Sequence, residues 1–176
     1  MVKSSHFEID MNCQEKRMLY YVFSDSHGFS GNMLAVLQQK LPDELVFLGD
    51  GELDLLDIKK KYPDLVIHNV RGNCDVASTA RLQMVIKCGR KKIFLCHGHT
   101  MNVKDSLDTL VDNAFAAEAS VALFGHTHLP YTGFAMAMDI MNPGTIGECP
   151  DPTYGVLTID GFRVDTKIVH VNSLQK

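Results

Sequence analysis

Met18-Leu19-Tyr20-Tyr21-Val22-Phe23-Ser24-Asp25-Ser26-His27-Gly28 is the stretch on which the reading of this sequence turns. A continuous apolar run of strand length stops at a cluster of polar side chains beside a glycine. A run that is apolar at successive positions, rather than at every second one, suits a strand covered on both faces, as in a parallel sheet. Residues 31–40 (GNMLAVLQQK) then repeat apolar side chains at helical spacing through Met33, Val36 and Leu37, and Pro42 closes the segment. The unit recurs. Residues 44–48 end in Gly49-Asp50 and lead into a helix expected over 53–61, and residues 65–70 end in Arg71-Gly72-Asn73-Cys74-Asp75. Strand, polar loop and helix in repetition predict a parallel sheet with helices on its faces.

The second half of the chain departs from that pattern. Residues 81–87 alternate, Gly89-Arg90 turns, and 92–96 run apolar into His97-Gly98-His99, which predicts an antiparallel hairpin. A helix is expected over 106–119 with Leu107, Leu110, Val111 and Phe115 on its apolar face. Residues 121–124 read as a short strand ending in Gly125-His126-Thr127-His128, and 154–159 with 162–171 read as a closing hairpin around Asp160-Gly161. No repeat and no linker rich in Pro, Gly or Ser divides the chain. Residues 18–176 therefore read as one α/β domain with mixed sheets, and the aperiodic residues 1–17 as a tail outside its core.

At 176 residues the chain can bury a single substantial core. Its net charge of −4 gives no support for a basic surface that grips nucleic acid, so no stable nucleic-acid partner is expected. No apolar run approaches the roughly 20 residues that span a bilayer, and the first residues lack the apolar core of a secretory signal. Cys13, Cys74, Cys88, Cys96 and Cys149 are scattered and form no C-x-x-C pair. That argues for reduced thiols rather than a disulfide framework or a structural zinc. The expectation is a cytoplasmic protein with no membrane partner.

The unusual residues lie where the apolar runs stop: Asp25 and His27, Asp50, Asn73 and Asp75, His97 and His99, His126 and His128. Loops at the carboxyl ends of strands converge on the ligand site of an α/β fold. Any one cluster also fits a turn or a helix cap, but all of them in chain order do not suit chance. Carboxylate, amide and imidazole donors without a thiolate suit Mn, Fe, Co, Ni or Zn and argue against a closed structural zinc. Two ions about 3.5–4 Å apart can share a carboxylate and activate water against phosphorus.

The order Asp-x-His, Gly-Asp, Gly-Asn-x-Asp, a Gly-adjacent His and Gly-His-x-His resembles the calcineurin-like metallophosphoesterases. Gly72-Asn73-Cys74-Asp75, His97-Gly98-His99 and Asn142-Pro143-Gly144-Thr145 resemble the small YfcE-type phosphodiesterase branch. The resemblance runs from Met18 to Val171. It implies a four-layer α/β sandwich of two mixed β-sheets flanked by helices. It also implies one metal on Asp25, His27, Asp50 and His128 and a second on Asp50, Asn73, His97 and His126, with Asp50 as the bridge. Asn142-Pro143-Gly144 is implied to shape the floor of the site structurally. Larger members carry His where this chain has Cys74, which weakens an inference of phosphomonoesterase activity.

These residues lead to the expectation of a phosphodiesterase with two divalent ions, Mn first and Zn, Fe, Ni or Co as alternatives, acting on a small phosphodiester. A metal-bridging hydroxide is the expected nucleophile, with Asp50 as the shared carboxylate. His99 is a candidate to protonate or orient the leaving oxygen; a packing or supporting role suits it equally. Asp75 either orients a neighbouring ligand or caps the segment that follows. A homo-oligomer is left open, and His6, His68 and His170 receive no role. The rival readings are a scaffold resembling the retromer subunit Vps29, in which the metal site is impaired, and a hydrolase of nucleotide or lipid-precursor pyrophosphate bonds.

Overall fold

The computed structural model describes residues 16–172. Residues 1–15, most of the expected tail, lie outside that range together with His6 and Cys13. The first sheet contains β1 (Met18–Phe23), β2 (Glu44–Phe47), β3 (Val66–Asn69), β9 (Thr153–Asp160) and β10 (Arg163–His170) in the order β10-β9-β1-β2-β3. The second contains β4 (Gln83–Cys88), β5 (Lys91–Cys96), β6 (Val121–Leu123), β7 (Pro130–Ala135) and β8 (Met138–Pro143) in the order β4-β5-β6-β8-β7. Both are mixed. β1, β2 and β3 run parallel, as do β5, β6 and β8, and the remaining strands join antiparallel.

Three apolar layers hold the four structural layers together. Val22, Val46, Leu48, Leu95, Leu123, Met141 and Leu157 pack between the sheets. The outer face of the first sheet presents Phe23, Leu45 and Phe47 to Met33 and Leu37 of α1 (Gly31–Gln39) and to Leu55 and Ile58 of α2 (Leu55–Lys61). The outer face of the second presents Phe94, Ala122 and Ile140 to Leu110 and Ala114 of α3 (Asp108–Ala116). Strands covered on both faces are why their sequences read as continuous apolar runs. No described helix is long and apolar enough to cross a membrane. Cys74, Cys88, Cys96 and Cys149 are free thiols.

The elements differ from the sequence expectation in three places. The helix expected over 53–61 opens as a 3-10 turn, Glu52–Asp54, before α2 begins. The helix expected over 106–119 is shorter at both ends. Ser106 Oγ accepts the Asp108 N–H at its start, and Glu118 at φ 57° ends it in a Schellman turn, with Ala119 N–H bonded to Ala114 C=O and Glu118 N–H to Phe115 C=O. Phe115, expected on the apolar face, is 57% exposed, because the buried stripe runs through Leu110 and Ala114 instead.

The third difference is a whole hairpin. β7 and β8 pair from Pro130↔Pro143 to Ala135↔Met138 around the two-residue turn Met136-Ala137. Both turn residues have positive φ, 51° and 59°, which is the geometry of a type I′ turn. That turn is ordinarily marked by Asn-Gly or a similar pair, and here it carries Met-Ala, so the sequence gives no turn signal.

Candidate metal centre

The carboxyl ends of β1, β2 and β3 in one sheet and of β5 and β6 in the other point to the same end of the sandwich. All seven expected ligands meet there, as does His99. Asp25, His27, Asp50, His126 and His128 all have positive φ, between 49° and 69°. Non-glycine residues rarely hold that conformation, and it costs of order 1 kcal/mol or more each. Each takes the chain sharply off its strand so that the side chain turns back over the sheet ends.

Asp25 is fully buried. Its Oδ2 accepts hydrogen bonds from Ser24 Oγ at 2.5 Å and from the His126 N–H at 3.1 Å. Its Oδ1 has no hydrogen-bond donor. That oxygen instead faces His128 Nε2 at 3.2 Å and the Nε2 atoms of His27 and His97 at 3.9 Å each. His27 Nε2 and His128 Nε2 are themselves 3.2 Å apart. A buried acceptor and two imidazole nitrogens converging on one point fit a cation among them.

Asp50 is the counterpart on β2. Its Oδ1 accepts the Cys74 N–H at 2.7 Å, and its Oδ2 lies 3.3 Å from His97 Nε2 and 4.0 Å from His27 Nε2. Burial opposes its ionisation, but the His97 imidazole and the Cys74 N–H outweigh burial and hold its carboxyl far below the usual range. His97 is fully buried, and its Nδ1 lies 2.7 Å from the Leu48 carbonyl. A carbonyl only accepts, so Nδ1 carries the proton and the Nε2 lone pair is turned toward Asp25, Asp50 and Asn73. Burial also opposes charge on His97, yet Asp50 and Asp25 raise its pKa. The negative potential that draws a proton to this nitrogen would equally draw a metal cation.

The donors fall into groups. Asp25, His27 and His128 have ligand atoms within 4.8 Å of one another, and so do Asp50, His97 and His126. Asn73 Oδ1 joins the second group at 3.2 Å from His97 Nε2. Cys74 stands with His27 and Asp50 in a further such set. Burial, followed by the Asp50 contact, pushes the Cys74 thiol up. His99 lies beside the second group rather than in it, its ring 5.3 Å from that of His97 and 6.1 Å from that of His126. Its Nδ1 is buried without a partner, and burial and then His97 lower its pKa.

The loops are held by residues outside the donor set. The Asp75 carboxylate accepts the N–H groups of Asp50, Gly51, Glu52 and Gly72 at 2.7–2.9 Å, so it orients the Asp50 loop, the first of its two expected roles. Burial works against its charge, and those four donors outweigh it and lower its pKa. A Cβ at Gly72 would lie 2.0 Å from Asp50 Oδ1, so glycine is there for close approach. Asn142, fully buried, donates to Gly125 O at 2.9 Å and Thr127 Oγ1 at 3.0 Å, bracing the loop of His126 and His128. Sequence reasoning missed Asp54, whose Oδ2 accepts Ser26 Oγ at 2.6 Å and the Gly28 N–H at 2.9 Å. It also missed Ser24. Asp54 falls inside the helix expected over 53–61, and Ser24 ends the apolar run of β1. His68 and His170 pair with Glu44 and Asp151.

Comparison with known proteins agrees with this geometry. Residues 18–161 match the calcineurin-like phosphoesterase superfamily domain. The chain is 29% identical over 146 residues to the probable metallophosphoesterase YsnB of Bacillus subtilis (strain 168), spanning 79% of this chain and 83% of that one. A conserved Streptococcus pneumoniae TIGR4 protein described as a predicted phosphoesterase superposes with a TM-score of 0.74 at 26% identity, over 89% of this chain and 91% of that one. A single mutant of Entamoeba histolytica Vps29 superposes with a TM-score of 0.69 at 22% identity, over 87% and 99%, a likeness of fold alone. With residues 18–161 matched, the chain belongs to the calcineurin-like phosphoesterase superfamily, and its function at that level is metal-dependent phosphoester hydrolysis.

Proposed function

We propose that this chain is a phosphodiesterase that works with two divalent ions, manganese first among them, on either side of Asp50. The observation that carries the reading is the division of the donors. Asp25, His27 and His128 gather on one side, His97, His126 and Asn73 on the other, and Asp50 reaches toward both through His27 and His97. The oxygen and imidazole donors suit Mn and its neighbours. Two such ions would supply an activated water and positive charge against the oxygens on phosphorus.

The chain's own residues set the conditions for that chemistry. Asp50 stays ionised because His97 and the Cys74 N–H favour its charged form. Asn73 offers a neutral oxygen, so the centre keeps positive charge for an anionic substrate. His97 is fixed in one tautomer by Leu48. At the position where larger relatives carry an imidazole, this chain has the Cys74 thiol, a poorer proton donor at neutral pH than an imidazolium. That favours diesters with leaving groups that depart without strong acid help. Every expected position carries a competent donor, which favours an enzyme over the scaffold reading. The free thiols fit a reducing cytoplasm.

The test strips the protein with a chelator, reloads it with Mn, Zn or Mg, and compares a bis-aryl phosphodiester with an aryl phosphomonoester. Restoration by Mn and preference for the diester are expected. Equal or faster turnover of the monoester would sink the diesterase reading, and full activity after verified metal removal would sink metal dependence.

A further inference from the structure

We infer that Cys74 is a positioning residue whose sulfur decides which end of the Asn73 carboxamide faces the metal centre. The inference rests on the two-ion reading above. An asparagine side chain carries an acceptor oxygen and a donor NH2 on the same fork, and the two ends differ little in size. Only the oxygen can bind a cation. An NH2 turned inward would present positive hydrogens to the ion and leave its coordination one ligand short.

One contact fixes the amide at its outer end, and the other end faces the centre. Asn73 Nδ2 donates to Cys74 Sγ at 3.3 Å, while Asn73 Oδ1 lies 3.2 Å from His97 Nε2. The sulfur is an acceptor here and has no need to lose its proton. Cys74 is itself anchored, because its N–H donates to Asp50 Oδ1 at 2.7 Å. The loop that carries it is tied down through Gly72 N–H and the Asp75 carboxylate at 2.8 Å. One residue thus steadies two donors of the second group, Asp50 through its backbone and Asn73 through its side chain. Asn73 and Cys74 are both exposed, so without the sulfur water would meet either end of the amide and the oxygen-inward arrangement would not be set before an ion binds. This gives the cysteine a task that requires neither proton transfer nor metal ligation.

Supporting residues that orient a metal ligand change metal affinity by about 10–100-fold when removed. The experiment is a Co titration of the full chain, read as stoichiometry and affinity of each equivalent by competition with a chromophoric chelator. Cys74→Ala and the near-isosteric Cys74→Val are expected to weaken the second equivalent about 10-fold or more and leave the first unchanged. Cys74→Ser, which keeps an acceptor, is expected to recover most of the loss. In an Asn73→Asp background both ends of the side chain are oxygens, so Cys74→Ala should there cost much less. No thiolate-to-cobalt charge-transfer band is expected in the wild type.

Unchanged binding of the second equivalent in Cys74→Ala would overturn the inference. So would a loss of the same size in the Asn73→Asp background, or a thiolate band that makes Cys74 a ligand. A wild type that takes one ion only would fail the two-ion reading itself, and the inference with it.

Discussion

His27 Nε2 and His128 Nε2 stand 3.2 Å apart although 101 positions separate the residues in sequence. One follows β1 in the first sheet and the other follows β6 in the second, so the metal centre is also a contact between the two halves of the sandwich. A cation bound there would be held by both sheets at once. Binding that occurs only in the folded state stabilises it by mass action, about 2.7 kcal/mol at a free concentration 100 times the dissociation constant. The melting temperature is therefore expected to rise by several degrees with saturating Mn and to fall again with a chelator. An identical melt with and without metal would contradict a centre shared between the sheets.

Asp75 should govern acid stability. Its carboxyl is lowered by four backbone N–H groups, so its contribution is fully present above the unfolded value of about 3.9 and is lost as pH falls through the lower, folded one. In metal-free protein, the urea midpoint is expected to drop below about pH 4. Asp75→Asn should be less stable at pH 7 and show a flatter acid limb. Parallel limbs for the two proteins would remove Asp75 from the account.

Asn142 braces the His126 loop through two hydrogen bonds from one fully buried amide. Asn142→Ala leaves Gly125 O and the Gly144 N–H short of a partner and is expected to cost about 1–3 kcal/mol. Chemical unfolding measures this loss, and isothermal titration of metal should show weaker binding through His126. A stable variant with wild-type metal affinity would reduce the Asn142 contacts to incidental packing.

The Met136-Ala137 turn carries two non-glycine residues at positive φ. Ala137→Gly relieves a left-handed conformation that costs an L-residue roughly 1–2 kcal/mol, offset in part by the entropy glycine loses on folding. A gain of about 0.5–1 kcal/mol in urea unfolding is expected. A loss would place the strain elsewhere.

His99→Ala separates proton work from metal work. Aryl oxides leave readily as anions, whereas alkoxides need a proton, and acid help is worth about 10²–10⁴ in rate. The variant is expected to keep bis-aryl diester turnover and to lose alkyl diester turnover, with metal content unchanged. Equal losses on both would remove His99 as the acid, and no loss on either would leave it a packing residue.

What was legible in the sequence follows from where the information sits. Each donor cluster directly follows an apolar run, so β1, β2, β3, β5 and β6 announce the loops they carry. The supports do not announce themselves. Asp54 acts on Ser26 and Gly28 across 28 and 26 positions, a relation that only the folded chain creates. Ser24 at the end of β1 gives no hint that it occupies one oxygen of Asp25 and leaves the other for the centre. The β7–β8 hairpin stayed hidden because Met136-Ala137 has none of the residues that usually mark its turn.

The central claim is that Asp50 serves two ions. It is tested most directly by metal analysis of the purified, Mn-reconstituted wild type and of Asp50→Asn, after removal of loosely bound metal. The account predicts about two equivalents in the wild type and a deficit at both positions in Asp50→Asn, with the fold retained by circular dichroism. A variant that keeps both equivalents at wild-type affinity would contradict the shared carboxylate.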